Sequence, residues 1–126
     1  MKRIFKAIKA FFRRMAIYVV TAYANRIYRK AVQAADKRHA EEKETIYVAN
    51  AVVDASELRT YNRKEFRRAK RILRVNNPKE FNLAMMKKAA WYYTPNRLEQ
   101  DGMTSRDKEL RRLAFVKHLL RNAKLV

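Results

Sequence analysis

Residues 4–34 read IFKAIKAFFRRMAIYVVTAYANRIYRKAVQA, and neither this stretch nor the rest of the first 40 residues contains a Gly or a Pro. A run of this length without a breaker is expected to be one helix. Ile4, Ile8, Phe12, Met15, Val19, Tyr23, Ile27, Ala31 and Ala34 recur at steps of three or four and draw one apolar stripe along it. Lys2, Lys6, Lys9 and Arg13 cluster away from that stripe, so the first half reads as a cationic amphipathic helix. Between residues 15 and 24 the helix is apolar on nearly all sides, relieved by Thr21 and the hydroxyls of Tyr18 and Tyr23. Such a segment is expected to be enclosed by other helices, first in a core of its own chain and otherwise in a subunit interface.

Working outward, residues 36–44 mix charges, with Glu41, Glu42 and Glu44 as the main acidic cluster, and are expected to close the helix. Thr45, Ile46, Tyr47, Val48, Val52 and Val53 favour a strand, Asp54, Ala55 and Ser56 suit a turn, and residues 58–61 can return, so a hairpin is expected near 45–61. Asn62 with Glu65 forms a capping box that opens a helix reaching about Arg74. Asn77, Pro78 and Glu80 repeat the start signal for a third helix, with Phe81, Ala84, Met85, Lys88, Ala89 and Tyr92 along one side. Tyr93, Thr94 and Pro95 are expected to end it. After a loop over 96–103 holding the sole glycine, Gly102, Thr104 or Ser105 begins a last helix, with Asp107 and Glu109 near its start and Leu110, Leu113, Val116, Leu120 and Ala123 on its apolar side. The expected fold is mostly α: a long N-terminal helix, a small β-hairpin or extended segment, then about three shorter helices. Residues 1–40 form a long basic amphipathic helix able to serve as an assembly arm, and residues 41–126 a small α-rich domain.

Charge sets the class of partner. The 126 residues carry 31 Lys and Arg against 12 Asp and Glu, a formal net charge of +19. A surface of this sign repels its own copies and attracts nucleic acid, an anionic membrane or an acidic protein. Arg63, Lys64, Arg67, Arg68, Lys70, Arg71 and Arg74 form the densest basic segment, joined by Arg26, Arg29 and Lys30 if the helices lie together. Side chains of this kind hold phosphate backbone and do not read bases. Two helices between residues 63 and 93 offer only a weak imitation of a helix-turn-helix, because Asn82, Lys87 and Lys88 are its few base-reading residues. Tyr47, Tyr61, Trp91, Tyr92 and Tyr93 suit base stacking less well than protein contacts.

Several chemistries find no support. With no cysteine there are no disulfides, thiolates or Cys-based zinc sites. One glycine cannot build a phosphate-cradling loop. His39, expected in a solvated turn, and His118, expected partly exposed on a helix, have no neighbouring ligand set that proposes a metal. The pairs Asp54 with Glu57 and Asp107 with Glu109 sit where turns and helix starts explain them, and Ser56 and Ser105 lie in no activating turn. No enzymatic activity and no cofactor are expected. Lys6, Lys9, Arg13 and Arg14 interrupt any signal peptide, and residues 15–24 are too short to span a bilayer, so a cytoplasmic or virion-like location is expected.

The expectation is a non-enzymatic structural or assembly protein of a nucleoprotein or virion-like particle. It meets protein subunits through Ile4, Ile8, Phe12, Tyr18, Tyr23, Trp91, Tyr92 and Tyr93, and nucleic acid non-specifically through its basic segments. An independent DNA- or RNA-binding protein is one alternative. Peripheral binding to an anionic membrane is another, since Ile4, Ile8 and Phe12 oppose Lys2, Lys6 and Lys9.

Overall fold

The structure, a computed structural model, describes residues 2–51, 57–69, 83–95 and 103–125. Its elements run α1 (Lys2–Glu42), β1 (Tyr47–Asn50), β2 (Leu58–Tyr61), α2 (Arg63–Arg68), α3 (Leu83–Ala89), β3 (Tyr92–Tyr93) and α4 (Ser105–Asn122). The mostly helical fold with one long opening helix and a hairpin is therefore present. α1 is 41 residues long, which at 1.5 Å per residue makes a rod of about 62 Å. It stops where Lys43 turns to a φ of 58° and donates its backbone N–H to the His39 carbonyl at 2.8 Å.

The three strands form an antiparallel sheet in the order β2-β1-β3. β1 is the central strand, pairing Tyr47 with Tyr61 on one side and with Tyr93 on the other. Side chains alternate across it. Ile46 and Val48 join Ala24, Tyr28, Ala31 and Ala35 of α1 and Phe115, Val116 and Leu119 of α4. Tyr47 and Ala49 join Phe66 and Ala69 beside α2, and Met86 and Ala90 beside α3. The sheet is thus the middle of three layers, with α1 and α4 on one face and α2 and α3 on the other. Burial on both faces explains why residues 46–49 read as a continuous apolar run, without the polar alternation of a half-exposed strand.

The third helix is shorter than the sequence implied. α3 ends at Ala89, and Tyr92 and Tyr93 belong to β3. Trp91 donates its N–H to the Val48 carbonyl at 2.9 Å and Thr94 to the Ile46 carbonyl at 3.0 Å, so this segment satisfies the edge of β1 that the hairpin leaves open. The Thr94 hydroxyl, fully buried, accepts the Ile46 N–H at 2.8 Å and completes the seam. Arg111 of α4 then donates to the carbonyls of Lys87 and Ala90, placing a cation at the C-terminal end of α3.

The two local start signals are realised. Asn62 caps α2, accepting the Glu65 N–H at 2.8 Å while Glu65 accepts the Asn62 N–H at 3.0 Å. Thr104 caps α4 through the Asp107 N–H at 3.1 Å. α4 buries part of the side expected: Val116 and Leu120 pack at the core as read, joined by Phe115 and Leu119, while Leu110 and Leu113 are exposed. Phe115 packs beside the Tyr28 ring of α1 at 5.9 Å and meets Trp91 edge-on, in one cluster with Ala24, Val116 and Leu119. The expected continuation of the second helix to Arg74, the start at Asn77, Pro78 and Glu80, and the hairpin turn at Asp54, Ala55 and Ser56 lie outside the described residues.

Candidate docking surface

α1 and α4 run antiparallel, with Arg112 bonded to Asn25 and Arg13 donating to the Leu125 carbonyl at 3.2 Å. α4 ends there in a Schellman turn. Lys124, at a φ of 58°, donates to Arg121, and Leu125 donates to Leu120 at 2.9 Å. The body therefore covers α1 only as far back as Arg13. The 11 residues before it extend about 16 Å beyond, and every described side chain from residue 3 to residue 15 is exposed.

The two halves of α1 are amphipathic in opposite senses. On a wheel of 100° per residue, the buried Ala24, Tyr28, Ala31 and Ala35 centre roughly 170° away from Ile4, Phe5, Ile8, Phe11, Phe12, Met15, Tyr18, Val19 and Tyr23, all of which are exposed. Phe12 is 65% exposed and Tyr18 74%, whereas Ala24 and Ala35 are at 0%. Lys6 and Arg13 occupy the sector that the second half buries, and Lys9 lies between that sector and the apolar one. The stripe drawn from Ile4 to Ala34 is thus not one face. Most of its steps are of four residues, and each advances about 40° beyond a full turn, so the series winds from the solvent side at Ile4 to the core side at Ala31. Residues 15–24, expected to be enclosed, are where the apolar face changes sides, and Met15, Tyr18, Val19 and Tyr23 stay uncovered by the rest of the chain. Phe5 and Phe11 belong to the same surface and were missed by the stripe. A wheel drawn for residues 2–20 alone finds them. Ile4, Ile8, Phe11 and Phe12 line a shallow open groove with Arg3 and Ala7 at its edge.

Arg26, Arg29 and Lys30 are exposed and fall in the sector of the uncovered apolar residues, continuing that face toward the C-terminal end of α1. Arg63, Lys64, Arg67 and Arg68 are exposed on α2, which packs on the opposite side of the sheet. The two basic sets thus sit on helices packed against opposite faces of the sheet and linked through the Arg38–Glu65 pair. Lys70, Arg71 and Arg74 lie outside the described residues. Among the described residues the ion pairs are Arg38 with Glu42 and Glu65, Arg111 with Asp107, and Arg112 with Glu109; of the exposed cations named, Arg68 adds to the charge that holds Glu65 ionised.

The aromatic run expected at an interface is instead engaged inside the molecule. Tyr92 is buried and donates its hydroxyl to Asp36 at 2.6 Å. Trp91 donates its Nε1 to Asn50 at 2.7 Å and meets Phe115 edge-on at 5.5 Å, while its carbonyl accepts the Tyr28 hydroxyl at 2.8 Å. Tyr93 is half-buried, packing near Tyr47 with the Arg111 guanidinium over its ring. Burial pushes the Tyr28 hydroxyl up to about 12. Burial and then the Asp36 carboxylate raise that of Tyr92 further.

Glu65, His39 and His118 each have structural partners. The Asn62 backbone bond, helped by Arg38, holds the Glu65 carboxyl below its usual range despite partial desolvation. His39 is half-buried, not in a solvated turn, with Nδ1 at 2.6 Å from the Glu44 carbonyl and 3.2 Å from the Thr94 hydroxyl. His118 is half-buried with its ring 5.5 Å from that of Trp91. Among the described residues, no cluster of three or more His, Asp or Glu is placed to hold a metal ion, and no helix is long and apolar enough to cross a membrane. Comparison with protein families, with curated proteins and with solved structures finds no match to this chain.

Proposed function

We propose that this chain is a non-enzymatic, basic assembly protein of a nucleoprotein or virion-like particle, seated by the outward face of α1 and lying on nucleic-acid backbone through its exposed cations. The observation that carries this reading is the uncovered apolar face of α1, pointing away from the domain that the same helix helps to build. An isolated protein gains nothing from leaving three phenylalanines, two isoleucines and a methionine in water, and a contiguous patch of this kind marks a contact surface. The net charge of +19 supplies the second half of the reading, since it calls for a polyanion.

The layer order separates these two contacts. Arg63, Lys64, Arg67 and Arg68 lie on the α2 side of the sheet, so they can rest on phosphates while α1 is occupied on the other side. The described carboxylates favour a structural role, because Asp36, Glu65 and Asp107 are each used in an internal hydrogen bond.

The test uses two variants of the full chain. Replacing Arg63, Lys64, Arg67 and Arg68 together by Gln should weaken nucleic-acid binding and flatten its dependence on salt, by about 0.9 in log–log slope for each duplex phosphate that is no longer neutralised. Replacing Phe5 and Phe12 by Ser should leave that binding intact and abolish co-fractionation with the particle in native extracts. A wild-type protein that ignores DNA and RNA at low salt and fractionates alone would overturn the proposal.

A further inference from the structure

We infer that the outward face of α1 seats on an anionic lipid surface, so that the assembly this protein joins has a membrane component. This rests on the reading of that face as a docking surface and names what lies against it.

Shape is the first support. The face runs along one unbroken helix of 41 residues, and α4 and the sheet lie behind it on the opposite sector. An extended, nearly flat surface can therefore meet the whole length of α1 without touching the body. Such a helix lies in the plane of the interface, its apolar side about 5–10 Å deep at the boundary of headgroups and acyl chains.

Charge complementarity is the second and decides among occupants. No acidic residue precedes Asp36, while residues 1–35 hold nine Lys and Arg. The apolar sector is edged by Lys9 on one side and by Arg3 and Arg14 on the other, and their long stems can follow the apolar surface while the charges stay at headgroup level. Past Tyr23 the same face turns cationic at Arg26, Arg29 and Lys30, each exposed. Tyr18 and Tyr23, with apolar rings and polar hydroxyls, stand where the character changes, which suits the depth of a membrane interface. A second copy of the chain would set nine cations against nine with no acid between them. Nucleic acid offers phosphates but no apolar layer for Phe5, Phe11 and Phe12. Anionic lipid supplies both, in the arrangement the helix presents.

The experiment measures binding of the full chain to vesicles of phosphatidylcholine with phosphatidylserine, against phosphatidylcholine alone, at low and high salt. Wild type should bind the mixed vesicles and lose affinity with salt and with removal of phosphatidylserine. The charge-preserving pair Phe5→Ser and Phe12→Ser should lower that affinity on the order of 100-fold, as expected for two phenylalanines returned to water. Each of Arg26→Gln, Arg29→Gln and Lys30→Gln should cost about fivefold. Because the chain has no cysteine, Phe12→Cys and Arg67→Cys each give a unique attachment point for an environment-sensitive dye. The dye at position 12 should be quenched by lipid-borne quenchers and the dye at position 67 should not.

Vesicle binding that is unchanged by the phenylalanine pair would be simple adhesion of a basic protein and would overturn the inference. If vesicles are ignored while the pair still loses its place in the particle, the lipid assignment fails and the docking face stands, with a protein as its occupant. If the pair instead abolishes self-association seen by sedimentation, the lipid assignment fails likewise and the occupant is a second copy. Failure of every one of these assays to respond to the pair would remove the docking reading as well.

Discussion

The first and second halves of α1 are built from the same kinds of residue on the same helical period, yet one half is clothed by its own chain and the other is bare. Ala24, Tyr28, Ala31 and Ala35 are buried beneath α4 and the sheet, while Ile4, Phe5, Phe11 and Phe12, larger and more apolar, stand in water. Apolar content therefore does not decide which part of a helix becomes core. In the second half, small alanines and Tyr28 share a buried cluster with Phe115, whose ring lies 5.9 Å from that of Tyr28, and Tyr28 keeps its hydroxyl satisfied on the Trp91 carbonyl. In the first half, the sector facing the body holds Lys6 and Arg13, which will not enter a core without partners. The apolar residues are left facing out by default of geometry. One helix thus joins a half that builds core to a half whose apolar side stays exposed.

The contrast makes quantitative demands. The largest effect is expected from Phe115→Ala, which opens a cavity beside Tyr28 and Trp91 and should cost about 3–5 kcal/mol in urea unfolding. Alkali should act next. Tyr28 and Tyr92 have folded-state values above the ordinary value of about 10. Their contribution is whole below about pH 10 and is lost as the pH rises from there through the folded values, because only the unfolded chain can readily release the protons. Stability followed by circular dichroism should fall over that interval, and Tyr28→Phe with Tyr92→Phe should flatten the fall. Ala24→Leu forces bulk between α1 and its cover and should cost about 1–3 kcal/mol, visible as a lower thermal midpoint. Asn62→Ala removes the α2 cap at the far side of the sheet and should cost about 1 kcal/mol. The smallest effect, within about 0.5 kcal/mol, is expected from Phe12→Ser, whose side chain is exposed and uncovered by the folded body. A destabilisation at Phe12 comparable to that at Phe115 would erase the distinction between the halves.

Much of this architecture was legible residue by residue. The absence of Gly and Pro through residue 40 predicted α1, Asn62 with Glu65 predicted the start of α2, and Thr104 or Ser105 predicted the start of α4, because each signal lies within the stretch of chain that it shapes. The β-prone run at 46–48 and the return at 58–61 predicted the hairpin for the same reason. Tyr92 and Tyr93 were less legible. Their place on the third helix followed from spacing, whereas their pairing with β1 depends on residues far away along the chain. The candidate surface was half visible: Ile4, Ile8, Phe12, Tyr18 and Tyr23 of the exposed face stood out in the sequence, but Phe5 and Phe11 did not, because a stripe stepped by fours drifts around the helix and passes from one face to the other.

The chain by itself determined that α1 is helical over its whole length, that its first 35 residues are free of acid, and that the protein carries a strong positive charge, since these depend on composition and on neighbours along the helix. Only the tertiary structure decided which side of α1 is core, where along it the cover ends, and that the basic sets of α1 and α2 sit on helices packed against opposite faces of the sheet. Those outcomes depend on where α4 and the sheet come to rest, which follows from the packing of Phe115 with Tyr28 and Trp91 and from β3 satisfying the open edge of β1. Both are contacts between distant segments that no local period encodes.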